Sequence, residues 1–210
     1  MLDAAAHKSF QERFATIRTL KKSCLVPPKD TLALSIRDAG PHWFFDYMGS
    51  TFFVKDLARY EETSDDFKNK TGDSIYELTC LNLDTGRTVN FEWEYDDALE
   101  VAMTLDRLSF RDLTDDAGEP VDGDDLDQIA DDSDAILLNN EKFWYEDDWA
   151  ALYYRGEKAE KVYMYEFENE DHTRFITIEE WSGSGREEYR IYTSCPVEPD
   201  QIQIIARGES

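Results

Sequence analysis

The second half of this chain repeats its first, and that repetition limits the fold more than any other feature. Residues 75–87 align with residues 162–174 at an offset of 87 positions, and Tyr76/Tyr163, Asn82/Asn169, Asp84/Asp171 and Arg87/Arg174 recur in place. Farther along, Val89-Asn90-Phe91-Glu92 falls on Ile176-Thr177-Ile178-Glu179. Phe143-Trp144-Tyr145-Glu146-Asp147 resembles Phe52-Phe53-Val54-Lys55-Asp56 at an offset of 91, which calls for a loop about four residues longer in the first copy, within residues 61–73. A duplicated module builds a scaffold or a paired surface, and does not by itself name a reaction.

The period inside each copy is two. Val89, Phe91, Trp93 and Tyr95 alternate with Thr88, Asn90, Glu92 and Glu94, the mark of a half-buried antiparallel strand. Tyr76, Leu78 and Cys80 form one strand face, and Tyr163, Tyr165 and Phe167 repeat it in phase, where a one-residue slip would exchange core and solvent. Asp84-Thr85-Gly86 and Ser182-Gly183-Ser184-Gly185 supply turns. Leu99-Val101-Met103-Leu105, Tyr189-Ile191-Thr193 and the run from Ile202 to Ile205 read as further strands. The expected fold is mainly β, two similar antiparallel meander or barrel-like units from an internal duplication. One N-terminal amphipathic helix is added to them.

That helix is expected over residues 4–24, ending before Pro27-Pro28. Phe10, Phe14, Ile17 and Leu20 form its apolar stripe, and burial of the stripe on the β body is favoured over lying on a membrane. The expected organisation is a basic helix at 1–29, a first β repeat at 30–113, an acidic linker at 114–138 and a second β repeat at 139–210. Residues 114–134 hold ten carboxylates and no basic residue, which predicts a loop.

The net charge is −25, yet residues 1–29 hold six basic residues against Asp3 and Glu12. The acidic remainder repels nucleic acid and anionic lipid, so direct nucleic-acid binding is not expected and a basic protein is the expected partner. Membrane contact through the helix is the less favoured alternative, and no stretch approaches the ~20 apolar residues of a membrane span. Cys24, Cys80 and Cys195 are far apart and odd in number, consistent with free thiols and a cytoplasmic location.

Enzyme signatures are absent. His7, His42 and His172 sit in no HxH or HExxH arrangement, and Ser184 lacks the outer glycines of a nucleophile elbow. Read as a calcium loop from Asp122, the acidic run places Leu126, Asp127 and Ser133 at positions five, six and twelve, which fails the pattern. Neither catalytic residue, cofactor nor metal is expected. What recurs is aromatic and acidic: Tyr76, Arg87, Glu92 and Trp93 in the first copy, Tyr163, Arg174, Glu179 and Trp181 in the second. The bland reading makes these core anchors and turn residues. The functional reading makes them paired patches for a partner or ligand. The extra residue before Trp181 then requires a β-bulge.

Three segments resemble the bacterial family known as domain of unknown function 4178. They are Gly49-Ser50-Thr51-Phe52-Phe53-Val54 with Tyr60-Glu61-Glu62; Tyr76-Glu77-Leu78 leading into Phe91-Glu92-Trp93-Glu94; and Tyr165-Glu166-Phe167 leading into Ile178-Glu179-Glu180-Trp181. The resemblance spans residues 49–205, read as two tandem copies, and implies a β-rich cytoplasmic module of a kind that accompanies envelope-stress proteins. It implies no activity. The leading expectation is a non-enzymatic interaction module with an acidic surface. The alternatives are an enzyme or small-ligand protein with a pocket between the repeats, and a nucleic-acid mimic.

Overall fold

The computed structural model describes residues 4–182 and 187–208. It is mainly antiparallel β. Five strands run in order, β1 (Phe44–Tyr47), β2 (Ser50–Thr63), β3 (Lys70–Asn82), β4 (Thr88–Tyr95) and β5 (Leu99–Leu108). After the short β6 (Leu113–Thr114) come five more, β7 (Ala135–Leu138), β8 (Glu141–Arg155), β9 (Lys158–Asn169), β10 (Phe175–Ser182) and β11 (Glu187–Pro196), then β12 (Gln203–Ala206). The helices are α1 (Ala4–Ile17) and α2 (Leu126–Asp132).

The repeat is visible in the ladders. β1 pairs with β2 through Phe44↔Phe53, and β7 pairs with β8 through Ala135↔Trp144, each partner shifted by 91. β3 pairs with β4 through Leu78↔Phe91, and β9 with β10 through Tyr165↔Ile178, each shifted by 87. The change of offset falls between β2 and β3. Residues 64–69 connect those strands, whereas only Gly156-Glu157 connects β8 to β9. The remainder of the polar 61–73 stretch is strand rather than loop, because the two long strands of that hairpin continue through it.

The chain divides into two compact units of interleaved segments. The first unit takes Met1–Ala58, Tyr76–Val101 and Val197–Ser210. Its strand order is β12, β1, β2, β3, β4, and its core holds Phe45, Phe52, Leu78, Cys80 and Phe91. Phe91 meets Phe45, Tyr47 and Phe52 edge-on at ring separations of 5.0 to 5.9 Å, a favourable aromatic geometry.

The second unit takes Arg59–Ile75 and Ala102–Pro196. Here the order is β5, β11, β10, β9, β8, β7, β6, and the end of β2 also pairs with β8 from Arg59↔Tyr154 to Thr63↔Ala150. One face of β9 and β10 buries Tyr165, Phe167, Ile176 and Ile178 against Leu113, Val121, Leu126 and Ile129.

That packing corrects the expectation of a loop at 114–134. A carboxylate-rich composition opposes folding only where too few apolar groups offset the ordering entropy. Here Val121, Leu126 and Ile129 are spaced to enter one core, and burying each contributes on the order of 1.5–3 kcal/mol. The acids themselves close the backbone. Asp122 accepts from the Asp124 N–H at 2.9 Å, and Asp125 accepts from the Asp122 N–H at 2.9 Å, ahead of α2.

α1 also departs from expectation. It stops at Ile17 rather than running to residue 24. Thr19 turns its hydroxyl back to the Thr16 carbonyl at 2.7 Å, a local bond that competes with helix continuation. Its stripe is not buried: Phe10 is 54% exposed, and Phe14 and Ile17 are each 48% exposed. The polar side docks instead. Arg13 donates to the carbonyls of Leu83 at 3.2 Å and Asp84 at 2.7 Å, and Lys55 pairs with Glu12 at 3.0 Å. Gly86, at φ 76°, lets this happen, since a Cβ there would lie 2.1 Å from Ser9 Oγ. Among the described residues no helix is long and apolar enough to cross a membrane. The Ser182–Gly185 turn lies largely outside the described residues.

Candidate functional site

The repeated asparagine and arginine are turn residues. In the first copy the Asn82 N–H donates to the Arg87 carbonyl at 2.9 Å, and Asn82 Oδ1 accepts from Asp84 and Thr85 N–H at 2.9 Å each. In the second, Asn169 N–H donates to the Arg174 carbonyl at 3.1 Å, and Asn169 Oδ1 accepts from Thr173 at 2.9 Å and Arg174 at 3.0 Å. An asparagine amide is suited to this task because its oxygen mimics a backbone acceptor. The Arg87 side chain is exposed, whereas Arg174 pairs with Glu141 at 2.5 Å.

The tryptophans are not equivalent. The β9–β10 ladder is continuous from Phe175↔Glu168 to Ser182↔Lys161, without the bulge expected before Trp181. Trp93 therefore corresponds to Glu180, and Trp181 to Glu94. Because side chains alternate along a strand, the single-residue difference puts the two indoles on opposite faces of their hairpins. Trp93 stacks on Tyr76 at a ring separation of 4.2 Å and an interplanar angle of 10°. Its Nε1 is buried without a hydrogen-bond partner among the described residues.

Trp181 belongs to a different arrangement, built within the second unit. Glu179 is 4% exposed, and its two oxygens accept from Tyr60 Oη at 3.0 Å and Trp181 Nε1 at 2.8 Å. Tyr153 packs between the two donors, 4.7 Å from the Tyr60 ring and 5.0 Å from the Trp181 ring. The guanidinium of Arg190, opposite Glu179 on β11, lies 4.1 Å from the Trp181 ring centroid. Two neutral donors and one nearby cation hold a carboxylate that burial alone would make costly. Glu92, the counterpart of Glu179, is half-buried opposite Glu77, and Glu77 accepts from Asn90 Nδ2 at 2.6 Å.

On the other face of β9, Tyr163 and Tyr145 both donate to Asp148, and Tyr165 donates to Asp127 at 2.7 Å. A bulge between Tyr145 and Asp147 carries Asp148 to the face of Tyr145. Burial first, and the Asp148 carboxylate second, push the Tyr145 and Tyr163 phenols well up, and burial with Asp127 does the same for Tyr165. These phenols keep their protons throughout the neutral range and act only as donors. Burial likewise raises the Cys80 thiol far above its ordinary value, with Glu77 adding to it, and raises Cys195. None of these groups is poised as a nucleophile.

Of the eight candidate residues, the structure brings together Tyr76 with Trp93 and Glu179 with Trp181, and places Arg87, Glu92, Tyr163 and Arg174 separately. Sequence reasoning missed Tyr60, Tyr153, Asp148 and Glu77. Tyr60 meets Glu179 from 119 positions away, whereas Asp148 reaches Tyr145 only through a bulge and Glu77 meets Asn90 across one hairpin.

The exposed chemistry lies elsewhere. Asp116, Glu119, Asp122, Asp124, Asp125, Asp127, Asp131, Asp132 and Asp134 all face solvent on the segment anchored by Val121, Leu126 and Ile129. Lys142 pairs with Asp116 at 2.6 Å at the edge of this surface. Among the described residues no three His, Cys, Asp or Glu side chains converge as a metal site would require.

The family model described as domain of unknown function (DUF4178) matches residues 40–199 as one stretch. The chain belongs to the DUF4178 family. The DUF4178 match takes in both copies and the acidic segment between them, and leaves α1 outside it. No curated protein and no solved structure matches the chain.

Proposed function

We propose that this protein is a non-enzymatic interaction module that offers a preorganised acidic surface to a basic protein partner. The observation that carries this reading is the run of exposed carboxylates from Asp116 to Asp134, held on ordered backbone by buried Val121, Leu126 and Ile129. A disordered acidic tail would lose conformational entropy on binding, whereas these acids are already placed. With a net charge of −25, the long-range field also speeds encounter with a cationic surface. The repeated aromatic positions serve the scaffold, since Trp93, Glu179 and Trp181 are buried.

The test is a comparison of affinity capture by the native chain and by the triple variant Asp124→Asn, Asp131→Asn, Asp132→Asn. These exposed side chains contribute little to folding. The native chain is expected to retain a basic protein at low salt and release it at high salt. The triple variant is expected to retain much less of it. Equal capture by both chains, or a partner indifferent to salt, overturns the proposal.

A further inference from the structure

Among the described residues the second unit, where acidic residues far outnumber basic ones, exposes a single large apolar side chain: the indole of Trp144, at 45%. It stands on β8 one residue after Phe143, which is fully buried, so alternation turns it to the opposite face of the sheet. Its neighbour on β7 is Ala135, whose methyl group is too short to cover an indole, and its neighbour on β9 is Glu168. The exposed acidic run meets this ring at both of its ends. Asp134 directly precedes Ala135, and its carbonyl accepts from the Tyr145 N–H at 3.0 Å. Asp116 reaches the ring through Lys142, whose Nζ lies 2.6 Å from the Asp116 carboxylate and 4.9 Å from the indole centroid.

Lys142 thus marks out a cation site and fills it with the chain's own side chain. A carboxylate on one side and the face of an indole on the other attract a cation, the first by charge and the second by the ring quadrupole. The occupant is loosely held. Lys142 and Asp116 are 43% and 55% exposed, and an exposed ammonium–carboxylate pair contributes little because water and salt compete for both ions. A guanidinium fits the site better. It is flat and less strongly hydrated, so it stacks over a ring that an ammonium meets as a point charge, and its N–H edge still offers a carboxylate two hydrogen bonds. Elsewhere in this unit Arg190 lies 4.1 Å from the Trp181 centroid, closer than Lys142 to that of Trp144.

We propose that Trp144 is the anchor through which the acidic surface takes an arginine side chain of its partner, the guanidinium lying on the indole and pairing with Asp116 in place of Lys142. The proposal rests on the reading of that surface as a binding site for a basic protein, and adds where the partner docks and which cation it must present. A large ring at the margin of a charged surface concentrates binding energy, because covering it removes apolar area from water in addition to pairing charge.

The test is fluorescence anisotropy of two labelled peptides of equal length and charge, one alternating arginine with serine and the other lysine with serine. Each is titrated with the full chain at about 0.15 M salt. The arginine peptide should bind saturably and several-fold more tightly than the lysine peptide. Trp144→Ala should weaken the arginine peptide about fivefold or more and abolish the preference. If that variant unfolds, Trp144→Leu keeps an apolar side chain on the strand and gives the same reading. Lys142→Met vacates the site and should tighten arginine binding. The gain should exceed that of Lys158→Met, which removes the same charge from an exposed residue at the far end of β9. The triple variant Asp124→Asn, Asp131→Asn, Asp132→Asn separates this proposal from the reading beneath it, since it should weaken both peptides and leave the preference for arginine intact. Unchanged arginine binding in Trp144→Ala overturns the anchor, and the acidic surface still stands if the triple variant weakens both peptides. Equal binding of the two peptides by the native chain, or no saturable binding of either, also overturns it. So does a dimer of the native chain that Trp144→Ala disperses, which would assign the ring to a second copy.

Discussion

The β3–β4 and β9–β10 hairpins share a turn chemistry and a strand register, yet they house their acids differently. Glu92 sits half-buried opposite Glu77, while its counterpart Glu179 is buried between two aromatic donors. The apolar faces diverge as well. Phe91 meets the aromatic residues of β1 and β2, whereas Tyr165 and Ile178 pack with α2 and the acidic segment. The two hairpins therefore share a ladder, and each face is covered by whatever the surrounding chain supplies. The ladder is a backbone property, and the cover is a side-chain one.

The strongest challenge to this contrast is removal of the two glutamates. Glu179→Ala strands the Tyr60 hydroxyl and the Trp181 indole N–H in a buried place, so urea unfolding should show a loss of about 3 kcal/mol. Glu92→Ala should cost under ~1 kcal/mol, because water reaches the site. Equal losses would erase the distinction between the two hairpins.

The turn asparagines come next. Asn169 is 7% exposed and also donates from Nδ2 to Glu141 at 2.9 Å, which the half-buried Asn82 does not match. Asn169→Ala should cost about 2 kcal/mol and Asn82→Ala about 1 kcal/mol, measured by thermal and chemical unfolding.

A smaller effect separates the tryptophans. Trp181→Phe deletes a hydrogen bond to a buried carboxylate and should cost about 1.5 kcal/mol. Trp93→Phe removes a buried N–H without a partner among the described residues, so its stability should stay within ~0.5 kcal/mol of the native chain. A larger loss at Trp93 than at Trp181 would contradict the assignment of opposite faces.

The smallest effect concerns His172, which occupies the place of Thr85 in the second turn. Its Nδ1 lies 2.7 Å from Glu168, whose carboxylate raises the imidazole above its ordinary value of 6.5. The folded state thus holds this proton more tightly than the unfolded chain. The stabilisation is complete below 6.5 and disappears as the pH climbs through the raised folded value. NMR titration of His172 should show the elevated midpoint, and Glu168→Gln should lower it. An unchanged midpoint in that variant would remove Glu168 as the cause.

Much of the β pattern is legible in the sequence. Alternation along residues 88–95 and the in-phase Tyr76 and Tyr163 strands identify the two hairpins, and the offsets of 87 and 91 locate a connection four residues longer in the first copy. The two segments that depart from expectation do so for one cause, which is that composition outweighs local signals there. Ten carboxylates suggest a loop at 114–134, although Asp122-x-x-Asp125 before Leu126 and Ile129 carries a helix-start signal. Hydrophobicity alone sends the α1 stripe to the core, while Arg13 and Glu12 decide which side docks.

Local chemistry, then, determined the strands, their register and their turns, because alternation, turn asparagines and hairpin closure act between residues near one another in the chain. Only the tertiary structure decided that Glu179 meets Tyr60 and that the acidic run is an ordered surface. Those pairings join residues far apart in sequence. Their free energy depends on burial and on the direction of donor groups, neither of which a linear pattern encodes.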